Sequence, residues 1–326
     1  MKPKVLVTRK FFPELVVRLK THFEVDDHAS NDGLPPAELK ARLADKAGIL
    51  LSVADPLTAE SIAAAPQLRA ACNVGVGYNN IDVAACTRAG IMVTNTPDVL
   101  TETTADLSWA LLMAVSRRLP MAERWLRDGQ WGAWRYDLWL GTDVHHATLG
   151  IFGMGRIGQA LARRATGFGM KTIYHNRSRL PADIEAQHNA TWVDKETLLR
   201  EADFVVLLLP YSPAVQHYIG AAELGLMKPT AHLVNVARGG IVDDAALITA
   251  LRERRICGAG VDVFEGEPKF NPDFLTLDNV VLTPHIGSAS YQARMAMGMR
   301  AVDNLIEALT GQRPRDCVNP EVFACT

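Results

Sequence analysis

Leu149-Gly150-Ile151-Phe152-Gly153-Met154-Gly155-Arg156-Ile157-Gly158 is the stretch that decides the fold. It joins a short apolar run, read as a strand over 148–152, to a helical pattern that continues through 159–167. Between them lies G-x-G-x-x-G, which carries weight only in this strand–turn–helix context. Gly153 is read as the tight turn and Gly155 as room for a pyrophosphate. Gly158 is read as close helix–strand packing. Met154, Arg156 and Ile157 are read with them as cofactor-binding, the pyrophosphate capping the helix N-terminus where free N–H groups and the dipole favour an anion. The plainer alternative is that these glycines serve backbone geometry alone.

Downstream, the turn after the second strand, read over 171–175, is Asn176-Arg177-Ser178-Arg179. A dinucleotide site built for a free ribose diol carries an acid there. This turn carries none, and its arginines, serine and asparagine suit a 2′-phosphate. A solvated basic turn that tolerates either cofactor is the other reading.

Further apolar strands are read at 204–209, 231–236, 261–264 and 280–283. Fully apolar strands alternating with helical stretches belong to a parallel sheet covered on both faces. In such sheets ligands gather beyond the carboxyl ends of the strands. Three of these ends carry Arg238, then Asp262 with Glu267, then His285. A guanidinium can clamp a carboxylate or polarise a carbonyl. A histidine is a proton donor near neutral pH, and a carboxylate beside it favours its charged form and fixes the ring. Singly, Arg238 could instead pair with Asp243 or Asp244, and His285 could cap the last helix.

Upstream, runs at 5–7, 49–53, 68–74 and 91–94 alternate with helical spacing, which reads as another parallel α/β unit. Long helices at 101–118 and 288–309 bracket the glycine-motif unit, with Pro120 read as a break. The chain is therefore expected to leave one domain, build a second and return. Between 125 and 139 the chain gathers Trp125, Trp131, Trp134 and Trp139, four of its six tryptophans. A cleft or interface and a loop folded on its own core are both open readings there.

Composition narrows the classes. The chain has 326 residues, 48% hydrophobic and 21% charged, which excludes general disorder and suits two domains. A net charge of -2 gives no basic excess for nucleic acid. Five cysteines, including Cys325, lack C-x-x-C spacing, so neither a disulfide framework nor a zinc site is expected. His145-His146 lacks H-E-x-x-H spacing, and no P-loop or G-x-S-x-G is present. With no signal sequence and no apolar stretch near the ~18 residues of a span, a soluble cytoplasmic protein is expected, without metal or membrane partner.

The order and spacing of Gly75-Val76-Gly77-Tyr78-Asn79-Asn80-Ile81-Asp82, the glycine motif, Val236-Ala237-Arg238-Gly239, Asp262 through Pro268 and Pro284-His285-Ile286-Gly287 make the chain resemble the D-isomer-specific 2-hydroxyacid dehydrogenases. Gly141 through His146 is similar to the glyoxylate/hydroxypyruvate reductases that also reduce 2-ketogluconate. The resemblance implies an α/β fold of two Rossmann-like parallel-sheet domains with a deep inter-domain cleft. Residues 1–99 and 288–326 would form a discontinuous, flavodoxin-like substrate domain, and 100–287 the dinucleotide domain. It implies catalysis by Arg238, Glu267 and His285 and substrate binding by Val76, Gly77, Arg238 and His285. Thr104 and Asp262 would lie at the cofactor, and the basic turn at 176–179 makes NADP(H) the expected choice over NAD(H). The implied partners are a small 2-oxoacid or 2-hydroxyacid and a second copy of the chain. The same family includes nucleotide-sensing corepressors, the main alternative to an enzyme.

Overall fold

The computed structural model describes residues 2–324, so Cys325 lies outside the described residues. The chain forms two compact units, one from residues up to 100 together with those from 289 onward, the other from 101–288. Each is built on a wholly parallel sheet. In the first, β1 (Lys4–Val7), β2 (Glu24–Asp27), β3 (Gly48–Ser52), β4 (Ala70–Val74) and β5 (Met92–Thr94) lie in the order β2-β1-β3-β4-β5.

The second sheet contains β6 (Thr148–Phe152), β7 (Lys171–His175), β8 (Ala190–Trp192), β9 (Phe204–Leu207), β10 (His232–Asn235), β11 (Gly258–Val261) and β12 (Val280–Leu282). Their order is β12-β11-β10-β9-β6-β7-β8. The order reverses between β6 and β9, which is where doubly wound sheets open a crevice for ligands. Both faces are covered. Val205 and Leu207 join one buried apolar cluster, while Phe204 and Val206 join another on the opposite face. That is the two-residue alternation of a strand, with apolar side chains at every position.

The strand read at 261–264 stops at Val261. From Asp262 the chain turns: its N–H still donates to the Asn235 carbonyl at 2.9 Å, while its side chain accepts from Thr283 and from the N–H groups of Ile286 and Gly287. Two edge strands escaped the sequence reading. Glu24-Val25-Asp26-Asp27 (β2) has a neighbour on one side only and no fully buried residue, so it lacks an apolar signature. β8 is likewise short and at an edge. Pro120 does end the helix Thr101–Ser116 nearby, but it also sits in the first turn of a new helix, Leu119–Arg127, where its missing N–H is harmless. Arg118 adopts φ 53° at the corner between the two. Among the described residues, no helix is long and apolar enough to cross a membrane.

Candidate active site

The three glycines of the motif have three different surroundings. Gly153 has φ 98°, and a Cβ there would lie 2.7 Å from the Leu208 carbonyl carbon. A Cβ on Gly158 would meet the Gly153 carbonyl oxygen at 2.5 Å. A Cβ on Gly155 would meet no atom within 4 Å. So the first and third glycines are required by the fold, while the second faces open space at the start of the helix Arg156–Thr166. Exposed N–H groups of that first turn, at the switch point of the sheet, make a site that fits a pyrophosphate.

The turn after β7 is fixed from several sides. Asn176 Oδ1 accepts the Met154 N–H at 2.8 Å, tying this turn to the glycine turn. Trp192 Nε1 donates to the Asn176 carbonyl at 3.1 Å. Arg177, Ser178 and Arg179 are exposed. Arg179 donates through Nε and Nη2 to the two oxygens of Glu185, at 2.9 and 2.7 Å. Glu185 is buried and also accepts the Tyr174 hydroxyl at 2.7 Å. The Arg179 hydrogen bond, then that of Tyr174, hold the Glu185 carboxyl down to about 2.

Beyond β10, β11 and β12 the three chemistry-bearing ends come together. Arg238 is half-buried on a loop whose Asn235 Oδ1 accepts the Ala237 N–H at 3.1 Å. Its Nη1 donates to the Ala237 carbonyl at 2.7 Å. Gly239 is forced, since a Cβ there would lie 1.8 Å from the Phe264 carbonyl oxygen. Burial lowers the Arg238 pKa, and the Glu267 charge opposes that. Glu267 Oε2 lies 2.7 Å from His285 Nδ1, and Oε1 accepts the Phe264 N–H at 2.8 Å. Burial alone would raise the Glu267 pKa. The His285 bond and charge, the Phe264 N–H and Arg238 outweigh it, and the carboxyl sits below the usual glutamate value.

Asp262 is fully buried. Its Oδ1 accepts from Thr283 Oγ1 and the Ile286 N–H, and its Oδ2 from the Gly287 N–H, all within 2.7–2.9 Å. Asp262 therefore braces the turn that carries His285, whose backbone is left-handed at φ 53°. The His285 N–H donates to the Asp262 carbonyl at 2.8 Å. Thr104, also buried, packs toward Gly287 in the same unit. In the other unit, the Gly75, Val76 and Gly77 carbonyls accept from the Thr96 N–H, Asn95 Nδ2 and Asn73 Nδ2 at 2.9, 2.8 and 2.7 Å. In a planar trans peptide the following N–H points the opposite way. The N–H groups of Val76, Gly77 and Tyr78 are thus held in fixed directions, and none has a protein acceptor among the described residues.

The residues named as simple alternatives have other work. Asp243 Oδ1 caps the helix Asp244–Arg252, and Asp244 Oδ2 accepts the Glu265 N–H at 3.0 Å. Ser290, not His285, caps the last long helix. Sequence reading missed Asn235 and Glu185, and it named Asp244 only as a possible partner of Arg238, not as the acceptor of the Glu265 N–H. It also missed His217, whose Nε2 lies 2.6 Å from Glu265 and whose Nδ1 lies 3.9 Å from Asp243. These three bring metal-capable atoms within 4.8 Å of one another. The histidine faces the two acids through opposite nitrogens, however, as an ion-pair clasp does.

Of the tryptophans, Trp125 and Trp139 pack edge to face with centroids 6.0 Å apart, and Arg118 lies over Trp139. Trp131, Trp134, Tyr136 and Leu140 are exposed, and Trp134 packs edge to face with Tyr136 at 6.5 Å between centroids.

A doubly wound parallel sheet, a glycine turn at its switch point and an Arg–Glu–His group beyond its strand ends define a dinucleotide-dependent oxidoreductase. The family "D-isomer specific 2-hydroxyacid dehydrogenase, NAD binding domain" matches residues 109–287. The chain is 46% identical to the glyoxylate reductase of Thermococcus onnurineus, covering 99% of this chain and 98% of that protein. It is 44% identical to glyoxylate/hydroxypyruvate reductase B of Shigella boydii, over 99% of each. Among solved structures, the NADPH-dependent glyoxylate/hydroxypyruvate reductase of Sinorhizobium meliloti, in complex with NADP and malonate, is similar. Its TM-score is 0.88 at 37% identity, over 99% of this chain and 98% of that one. The chain belongs to the D-isomer-specific 2-hydroxyacid dehydrogenase family. It is an NAD(P)(H)-linked enzyme that reduces a 2-oxoacid.

Proposed function

We propose that the protein reduces glyoxylate and hydroxypyruvate, and 2-ketogluconate as a longer substrate, to the corresponding D-2-hydroxyacids, with NADPH preferred over NADH. The observation that carries the reading is the contact between His285 Nδ1 and Glu267 Oε2 at 2.7 Å, with Arg238 electrostatically coupled to the same carboxylate. Similarity to reductases of these substrates supports the choice of 2-oxoacid.

The glycine turn and the 176–178 turn would hold the dinucleotide, through Gly153, Met154, Gly155, Arg156, Ile157, Gly158, Asn176, Arg177 and Ser178. Thr104 and Asp262 would stand toward its nicotinamide end. A bound reduced nicotinamide supplies the hydride for C2 of the substrate. The protein supplies the proton and the charge. With Nδ1 held by Glu267, His285 has Nε2 to deliver a proton to the C2 oxygen. Glu267, itself held by the Phe264 N–H, keeps the ring oriented. Arg238 binds the substrate carboxylate and draws charge onto the C2 oxygen as it develops. The N–H groups at Val76 and Gly77 offer fixed donors to a carboxylate. In this reading residues 100–287 serve the cofactor, and 1–99 with 288–326 serve the substrate.

The protein acts as a homodimer in the cytoplasm. Free thiols at Cys72, Cys86, Cys257 and Cys317 suit a reducing compartment. The helix Leu119–Arg127 has no buried residue, and Leu119, Leu126, Trp131, Trp134, Tyr136 and Leu140 are each more than half exposed. Such an apolar patch suits a protein interface.

The test is a panel of steady-state kcat/KM values for glyoxylate, hydroxypyruvate and 2-ketogluconate with both reduced cofactors. Turnover of the first two, faster with NADPH, is expected. Tight cofactor binding with no turnover on any acid would replace the reading with a nucleotide-sensing role.

A further inference from the structure

The turn Asn176–Arg179 holds two arginines, and by sequence both are candidates to meet a 2′-phosphate. Their surroundings differ. Both are exposed, but the Arg177 side chain has no hydrogen bond or ion pair among the described residues. Arg179 is engaged at two points by Glu185, at 2.9 and 2.7 Å. Glu185 belongs to the short helix Ala182–Gln187 and is 7% exposed. Its other polar side-chain partner is the hydroxyl of Tyr174, a fully buried residue of β7. That same hydroxyl accepts the Leu180 N–H at 2.8 Å. Glu185 thus sits under the turn as the hub of a network joining β7, the turn and the helix that follows.

Removing Arg179 from Glu185 would leave a buried carboxylate with neutral donors only, the Tyr174 hydroxyl and the Trp192 N–H. Stranding a buried charge in this way is strongly unfavourable. A phosphate approaching the turn would compete for Arg179 against an oriented, two-pronged carboxylate. It meets no such competitor at Arg177.

We propose that Arg177, helped by the hydroxyl of Ser178, is the reader of the cofactor 2′-phosphate. Arg179 is a positioning residue, withheld from the phosphate by the buried Glu185. This inference rests on the NADPH reading above and assigns it to one side chain instead of two. Glu185 is then a specificity determinant that never touches the cofactor. It sets how many cations the turn presents.

The experiment is the ratio of kcat/KM for NADPH over NADH at fixed, moderate salt, with melting temperatures measured in parallel. The wild-type protein should prefer NADPH. Arg177→Ala should lower the ratio by roughly 10- to 150-fold, the range for one charge-assisted bond. Arg179→Ala should lower the melting temperature and change the ratio by less than about threefold, well under one such bond. The decisive variant is Arg177→Ala with Glu185→Gln, which releases Arg179. It should recover several-fold of the lost ratio, an effect that loss of packing alone does not produce. Folded Arg179→Ala losing as much ratio as Arg177→Ala, or no recovery in the folded double variant, overturns the inference and leaves the NADPH reading standing. A wild-type ratio at or below one overturns the NADPH reading itself, and this inference with it.

Discussion

Glu267 is shared between His285 Nδ1 at 2.7 Å and the Phe264 N–H at 2.8 Å, one carboxylate oxygen to each. The ring is therefore held by an acid that is itself anchored to the backbone three residues upstream. His285→Ala should lower kcat by roughly 10²–10⁴-fold, the scale of a general acid, with cofactor affinity nearly unchanged. Stopped-flow turnover beside a fluorescence titration of cofactor checks both. Normal turnover by the variant would remove His285 as proton donor.

Arg238→Lys keeps the charge but gives up the planar fork. Loss of one charge-assisted contact predicts a fall in kcat/KM of roughly 10- to 150-fold. Saturation with 2-oxoacid should not restore the rate if the guanidinium also stabilises charge on the C2 oxygen.

Two glycine changes should part company. At Gly155 an added methyl meets nothing within 4 Å, so Gly155→Ala should fold with an unaltered melting temperature. It should still bind dinucleotide at least tenfold more weakly, about 1.4 kcal/mol. At Gly158 the methyl would meet the Gly153 carbonyl oxygen at 2.5 Å. Gly158→Ala should instead lose about 1–3 kcal/mol of stability through overpacking. Calorimetry with and without NADPH separates the two.

Asp244 is buried, and desolvation, with Glu265, Asp243 and Glu267 nearby, pushes its carboxyl up to about 6. Between the ordinary aspartate value and about 6, the folded chain holds a proton the unfolded chain has released. Stability from this group is therefore full at low pH and declines as pH rises through that window. Asp244→Asn keeps an acceptor for the Glu265 N–H and removes the charge. The variant should gain stability over wild type on going from pH 4 to 7, by at most roughly 3 kcal/mol. Urea unfolding at the two pH values reads the difference. A constant difference between the proteins would show that Asp244 does not titrate there.

Sedimentation should give a dimer mass at micromolar concentration. Leu126→Glu with Trp134→Glu, both on the exposed apolar surface, should shift it toward monomer. A wild-type monomer would leave that surface without its proposed partner.

How much of this was legible beforehand depends on how local the signal is. The glycine turn announces itself because backbone geometry and sequence coincide over ten residues. Arg238, Glu267 and His285 are legible because each follows an apolar strand, and parallel strands deliver their carboxyl ends to one edge. Glu185 was invisible for the opposite reason. It lies on a short helix where an acid usually faces water, and only the packing of Tyr174 above it turns it into a buried counter-ion. The edge strand β2 was missed because its alternation is charged, and a strand with one neighbour need not be apolar.

Asn319 is the point at which the far end of the chain is stitched to the early part. Its side chain accepts the Val93 N–H at 2.8 Å and donates to the Ile91 carbonyl and to Thr87. The helix Tyr291–Leu309 meanwhile packs on β3 and β4. On a ribosome, which feeds the chain out from the amino end, these partners arrive last. The 101–288 unit is contiguous in the chain, while β3 and β4 wait for the helix that packs on them. Synthesis thus leaves a long interval in which β3 and β4 are open to wrong neighbours. A chaperone-dependent yield, falling when translation is slowed after residue 288, would be the cellular mark of this threading.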